Sequence, residues 1–167
     1  MPFEHSIKHW MNIPLWSVIF TFIPLHQYDH MHQFLANISL VVRDYDEAIL
    51  YYTGVLGFDL VEDTQLSETK RWVRVKPGGS ENGCHLLLAR AATDAQRAAI
   101  GKQSGGRVFL FLHTDDFDRD YDNYRSRGVT FIREPIDESY GRVAVFSDLY
   151  GNLWDLIGPS NSHTETK

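Results

Sequence analysis

Asn37-Ile-Ser-Leu-Val-Val-Arg-Asp-Tyr-Asp46 and Phe109-Leu-Phe-Leu-His-Thr-Asp-Asp-Phe-Asp118 are the same pattern written twice. Each is an alternating run, the period-two signature of a half-buried strand, that ends in Asp-aromatic-Asp, where short carboxylates favour a helix start. The residues downstream of each run repeat too: a helical stretch closed by glycine, then a G-[FV]-x-[LF] strand at Gly57–Leu60 and at Gly128–Phe131. Trp72-Val-Arg-Val75 aligns with Arg142-Val-Ala-Val145, and Cys84-His-Leu-Leu-Leu88 with Leu153-Trp-Asp-Leu-Ile157. Two βαβββ modules in one short chain predict an α+β fold, with two pseudo-symmetric half-barrel sheets around a shared cleft.

At 167 residues the chain has room for one domain with a sizeable core. Its net charge of -6 argues against nucleic acid, because no basic stripe is available to neutralise phosphates. A single cysteine, Cys84, excludes an internal disulfide and a thiolate metal cage, and fits a reducing cytoplasm. The segment Trp10–Leu25 is apolar and aromatic, but Pro14 and Pro24 interrupt it and it is too short to span a bilayer. It also lacks the basic start and Ala-x-Ala site of a signal peptide. Residues 1–30 therefore read as a non-native or disordered extension ahead of Met31, in preference to an anchor or targeting segment. The expected division is a single domain over 31–160 and a tail over 161–167. Within the domain, module one spans about 32–90, a linker 91–106 and module two 107–158.

Helix one is expected to open with a capping box in which Asp44 caps and Glu47 reaches back. Ala48, Ile49, Tyr52 and Leu56 then form an apolar stripe that Gly57 ends. Helix two starts at Asp116 or Asp118 and stops at Gly128. Strands are expected at Phe58–Glu62, Arg71–Lys76 and Cys84–Ala89, and again at Thr130–Arg133, Arg142–Phe146 and Leu153–Ile157. In the linker, Thr93-Asp-Ala-Gln96 resembles another capping box. The run Gly101–Gly106 reads as a connector that packs little, with a mobile lid over the cleft as the alternative.

Tyr51-Tyr-Thr-Gly-Val-Leu-Gly-Phe58 and Asp148-Leu-Tyr-Gly-Asn-Leu-Trp-Asp-Leu156 resemble the F-Y-x-x-x-L-G-F and D-P-x-G-x-x-x-E-L signatures of the vicinal oxygen chelate superfamily. This group of glyoxalases, bleomycin-resistance proteins and dioxygenases is matched over about residues 32–158. The run Gly105–Asp116 is similar to a bacterial subgroup with no established activity. The resemblance implies the glyoxalase/bleomycin resistance/dioxygenase fold and leaves the chemistry open, since one fold hosts many functions.

Enzymes of the superfamily hold a divalent ion with side chains from four strand positions, which the pairwise match places at Asn37, Leu86, Phe109 and Asp155. Leucine and phenylalanine do not ligate, so this set falls short of the donors a divalent cation needs. No cofactor is expected, with a divalent metal as the lesser possibility. Strand parity puts Asn37, Ser39, Leu86, Leu88, Phe109, Phe111, His113, Leu153 and Asp155 on the concave side. It puts Val73, Val75, Val143 and Val145 under the helices, which turns Trp72, Arg74, Arg142 and Ala144 to the cleft.

Candidate ligand-binding residues are therefore Asn37, Trp72, Arg74, Phe109, Phe111, Arg142 and Asp155, an apolar and aromatic surface with a few polar groups. Arg74 and Arg142 are either structural partners or anion donors. Asp155 and His113 are the weak candidates for a catalytic base, each with a structural alternative. The expected function is small-molecule binding in a cleft that has lost most metal ligands, by a cytoplasmic homodimer with no nucleic-acid or membrane partner. The alternative is a metal-dependent lyase, isomerase or dioxygenase resembling glyoxalase I.

Overall fold

The repeated alternating runs form the first strand of each module, β1 (Asn37–Val42) and β5 (Val108–His113), in a computed structural model that describes residues 33–81 and 83–160. The expectations for residues 1–30 and for the tail at 161–167 lie outside the described residues. Helix α1 (Tyr45–Leu50) is capped as its sequence dictates: the Asp44 carboxylate accepts the Asp46 N–H at 2.9 Å and the Glu47 N–H at 3.2 Å. Glu47 does not complete the capping box. It pairs with the Arg43 guanidinium one turn back, a charge-assisted contact that outcompetes a neutral backbone N–H.

The expected helix continues past Leu50 as a π-helical turn, Tyr51–Val55, closed by the Leu56 N–H on the Tyr51 carbonyl at 3.2 Å. Thr53 contributes to this widening, because its hydroxyl donates to the Ile49 carbonyl at 2.7 Å inside the ladder. Gly57, at φ +72°, then turns the chain out of the helix in a conformation that side chains disfavour.

Strands β2 (Asp59–Gln65), β3 (Arg71–Lys76) and β4 (His85–Arg90) complete the first sheet, in the order β1-β4-β3-β2. The linker helix α2 (Asp94–Ala99) opens with a full capping box between Thr93 and Gln96. Module two repeats the first with α3 (Phe117–Ser126), capped by Asp116, and with β6 (Thr130–Glu138), β7 (Gly141–Ser147) and β8 (Leu153–Gly158). Its sheet order is β5-β8-β7-β6. In each sheet the first and last strands of the module run parallel and the other pairings are antiparallel. The sheets remain open and do not close into a barrel. No described helix is long and apolar enough to cross a membrane.

Register decides which side chains meet the helices. Val73 pairs with Leu88 and Val75 with Leu86, and all four are buried with Tyr45, Ala48 and Tyr52 of the α1 segment. In module two, Ala144 pairs with Leu156 and Phe146 with Trp154, and these pack beneath Phe117, Tyr121 and Tyr124 of α3. Leu86, Leu88 and Ala144 are thus core residues, contrary to the parity expectation. Val143 and Val145, expected under the helices, pair with Ile157 and Asp155 on the opposite face.

One aromatic cluster joins the modules. Phe58 lies 6.0 Å from Trp154 between ring centroids, Tyr52 lies 6.3 Å from Trp154, and Trp154 stacks on Phe146 at 5.7 Å. The linker is pinned rather than loose, because its Gln103 amide acts as a strand partner for the free edge of β1. It accepts the Val41 N–H at 2.7 Å and donates to the Ser39 carbonyl at 3.1 Å, covering an edge that would otherwise be unpaired. Gly101, at φ +71°, packs so close that an added Cβ would lie 2.0 Å from the Tyr150 carbonyl.

Candidate functional site

The concave faces are built from the residues that the cores leave out. On module one, Asn37 is the register partner of His85 and Ser39 of Leu87, while Leu87 is opposite Arg74 on β3. Period two places Trp72 on the same face. On module two, Asp155 lies between Phe111 of β5 and Val145 of β7, and His113 is opposite Ile157.

These pairings shift two of the mapped positions by one residue. The core pair Val75–Leu86 corresponds to Phe146–Trp154, so the module-one counterpart of Asp155 is Leu87, not Leu86. Likewise Asn37–His85 corresponds to Val108–Leu153, which makes Val108 the counterpart of Asn37. Phe109 sits in the bulge between Val108 and Leu110, has no register partner on β8, and packs against the core. A bulge adds one residue to a strand and reverses the parity beyond it.

Arg142 is the other correction. Its parity is that of Ala144 and Phe146, and its guanidinium lies 5.4 Å over the Phe117 ring and 3.7 Å from the Asp118 carboxylate. It braces α3 and is not on the concave face. Arg74 is on that face but already has a carboxylate. Its Nη2 donates to Glu62 at 2.7 Å, Nε donates to the same oxygen at 3.1 Å, and Nη1 lies 3.4 Å from His85 Nδ1. Sequence reasoning passed over His85 because it stood beside the misassigned Leu86, and passed over Glu62 because it had no motif around it. Correct alignment of the repeat's core pairs is the signal that brings His85 to Asn37.

The electrostatic features of the site sit at Asn37 and Asp155. Asn37 Oδ1 and Asp155 Oδ1 are both buried, with no hydrogen-bond partner among the described residues. Asp155 is only 8% exposed, and burial beside Val143, Val145 and Ile157 pushes its pKa up, an effect that the more distant Arg133 cation opposes. Phe111 remains exposed on β5. With His113 it also borders a cavity of about 560 Å³ between β5 and the β3–β4 connection, alongside Pro77, Gly78 and Cys84.

The four positions that the resemblance implies, set in the observed register, are Asn37, Leu87, Val108 and Asp155, and they carry one neutral amide, two aliphatic side chains and one carboxylate. This donor set does not fit a resident divalent ion, which needs three or more good protein donors. Among the described residues no group of three His, Cys, Asp or Glu side chains is placed to hold a metal ion.

Asp148, the first residue of the second family-like signature, has a structural part. Its carboxylate accepts the Tyr52 hydroxyl at 2.7 Å, Asn152 Nδ2 at 2.9 Å and Trp154 Nε1 at 3.2 Å, together with the Tyr150 and Asn152 N–H groups at 2.9 Å. The motif thus ties the turn before β8 to the π-helical turn of module one.

The fold and these signatures have matching counterparts among known proteins. An uncharacterized protein of Shewanella frigidimarina (strain NCIMB 400) is 59% identical over 128 residues, covering 76% of this chain and 94% of the relative. The crystal structure of UcmS2 matches with a TM-score of 0.66 and 30% identity, over 76% of this chain and 98% of that one. TnmS3, an antibiotic binding protein from Streptomyces sp. CB03234, matches with a TM-score of 0.62 and 32% identity, over 78% of this chain and all of that one. The glyoxalase/bleomycin resistance protein/dioxygenase family model matches residues 29–156, and the chain belongs to that superfamily.

Proposed function

We propose that the protein is a metal-independent binding protein that holds a small organic molecule against its concave faces, as a homodimer in the cytoplasm. The observation that carries this is the pair of buried acceptors, Asn37 Oδ1 and Asp155 Oδ1, that have no partner among the described residues. A buried acceptor without a donor costs about 1–3 kcal/mol, so a ligand that brings N–H or O–H groups relieves a cost the free protein carries. Phe111, the exposed register partner of Asp155 on β5, supplies apolar surface that such a ligand would cover. Likeness to TnmS3, an antibiotic binding protein, supports the same reading. Homodimerisation is supported by open sheets that expose Ile132 and Ile136, apolar surface that a second copy would bury.

The test is a thermal-shift and native mass-spectrometry screen of aromatic antibiotics that carry hydrogen-bond donors. At least one should raise the melting temperature by mass action without added metal. Asp155→Ala should weaken that ligand about tenfold to a hundredfold, the loss of a hydrogen bond to a charged group. A screen with no binder, or binding that requires a divalent ion, overturns the proposal.

A second reading, a metal-free enzyme with Asp155 as general base, rests on the upward pKa that burial gives this carboxylate. Chromatography after overnight incubation separates the two: a bound ligand returns unchanged and a substrate does not.

A further inference from the structure

A separate cavity of about 470 Å³ lies where the start of β3, the end of β4 and the first turn of α2 meet the buried Tyr45 of α1. Its charge is opposite to that of the chain. Lys70, Arg71 and Arg90 line it in a protein of net charge -6. Arg71 is neutralised: its guanidinium reaches Asp46 at 2.6 Å and takes a two-pronged grip on Asp63. Arg90 and Lys70 have no carboxylate within ion-pair distance among the described residues.

Arg90 is nevertheless held in place. Its Nη2 donates to the Thr69 carbonyl at 2.8 Å, and its guanidinium lies 5.5 Å over the Tyr45 ring, which Arg71 approaches at 5.3 Å. Tyr45 is 6% exposed, so it is a fixed platform and not a mobile surface phenol. A guanidinium oriented by stacking and one hydrogen bond keeps further N–H donors for a planar or tetrahedral anion. Trp72, Leu87 and Ala89 add apolar lining. A cavity that brings together an indole and cations without counterions among the described residues matches an amphipathic anion.

We propose that this cavity binds a small organic anion, an aromatic or acyl body that carries a carboxylate, sulfonate or phosphate. The anionic group pairs with Arg90 and Lys70, and the apolar body lies on Trp72 and Leu87. The proposal does not rest on the antibiotic-type site: the cavity shares Trp72 and Leu87 with the module-one concave face but includes none of Asn37, His85 and Asp155.

The experiment is isothermal titration calorimetry of the full chain with benzoate, 1-naphthoate, octanoate and phenyl phosphate, and with 1-naphthalenemethanol as the uncharged comparison. At least one anion should bind, with an affinity that falls as salt is raised. The alcohol should bind at least about tenfold more weakly than 1-naphthoate. Lys70→Gln with Arg90→Gln should cost the anion about tenfold or more at unchanged circular dichroism, while Asp155→Asn leaves it unaffected. The wild-type comparison of acid with alcohol needs no variant to fold. Silence with all four anions, equal binding of the alcohol, or an unchanged affinity in the double variant overturns the proposal. An anion lost in Asp155→Asn but kept in the double variant overturns it as well, and assigns that ligand to the concave site.

Discussion

Asn37 and His85 are register partners across the parallel β1–β4 pair, so the imidazole shares a face with the amide, and the neighbouring Leu86 is turned into the core. By register the counterparts of Asp155 and Asn37 in the other module are Leu87 and Val108, and a designed metal site that follows the resemblance uses them. Asn37→His, Leu87→Glu and Val108→His, with the native Asp155, should confer near-stoichiometric nickel or zinc that survives desalting, read by elemental analysis. The frame-shifted set Asn37→His, Leu86→Glu and Phe109→His should bind none and should melt lower, because it buries a glutamate under α1. Equal metal retention by the two sets would show that the register argument is wrong.

The Tyr52 hydroxyl donates to Asp148 across the module boundary at 2.7 Å, from a side chain with no exposed surface. Tyr52→Phe keeps the ring against Phe58 and Trp154 and deletes only that donor. The expected loss is about 1–3 kcal/mol in urea unfolding, as for a buried acceptor deprived of one partner. Asp148→Ala removes the acceptor of five donors at once and should cost more. If Tyr52→Phe is as stable as wild type, the hydrogen bond does not join the modules energetically.

The repeat was legible in the sequence because alternation and Asp caps are local signals: the strand–helix starts at Asn37 and Phe109 and the Thr93 capping box are all read from neighbours. The concave face was legible only in part. Two strand alignments, Trp72–Val75 with Arg142–Val145 and Cys84–Leu88 with Leu153–Ile157, each stand one residue out of register, since apolar residues at matching spacing look equivalent in either frame. Core partners decide between the frames, and partners are not visible in one strand. The bulge at Phe109 and the Gln103 bridge to β1 depend on contacts between residues far apart in the chain, which no periodicity announces. Arg142 could not be assigned without knowing that Phe117 lies beneath it.

Burial raises the pKa of Asp155, and this sets the sign of a pH effect. A carboxyl whose folded pKa lies above its unfolded value favours folding while protonated, and that contribution is lost as pH rises through the folded pKa. Asp155→Asn cannot ionise and escapes the loss. Its melting temperature relative to wild type should thus be higher at neutral pH, with the gap closing below the usual carboxylate range. Differential scanning calorimetry across that range checks it. A gap that widens on acidification would mean that the carboxylate, not the acid, is the form the fold prefers.

Tyrosine ionisation gives the alkaline limit. Burial pushes the Tyr150 phenol up to about 12 and holds Tyr51, Tyr52 and Tyr124 above the ordinary tyrosine value, with the Asp148 charge adding to the effect at Tyr51 and Tyr52. A raised folded pKa contributes stability in full below the unfolded value of about 10, and that stability disappears as pH climbs through the folded one. The fold should therefore weaken from about pH 10 upward, and these phenols should ionise together with unfolding rather than before it. Phenolate absorbance and far-ultraviolet circular dichroism, followed on the same samples, should show a fraction of tyrosines titrating in step with loss of structure. Complete phenolate formation in a chain that keeps its native spectrum would contradict the burial of Tyr52 and Tyr124 at the seam between the modules.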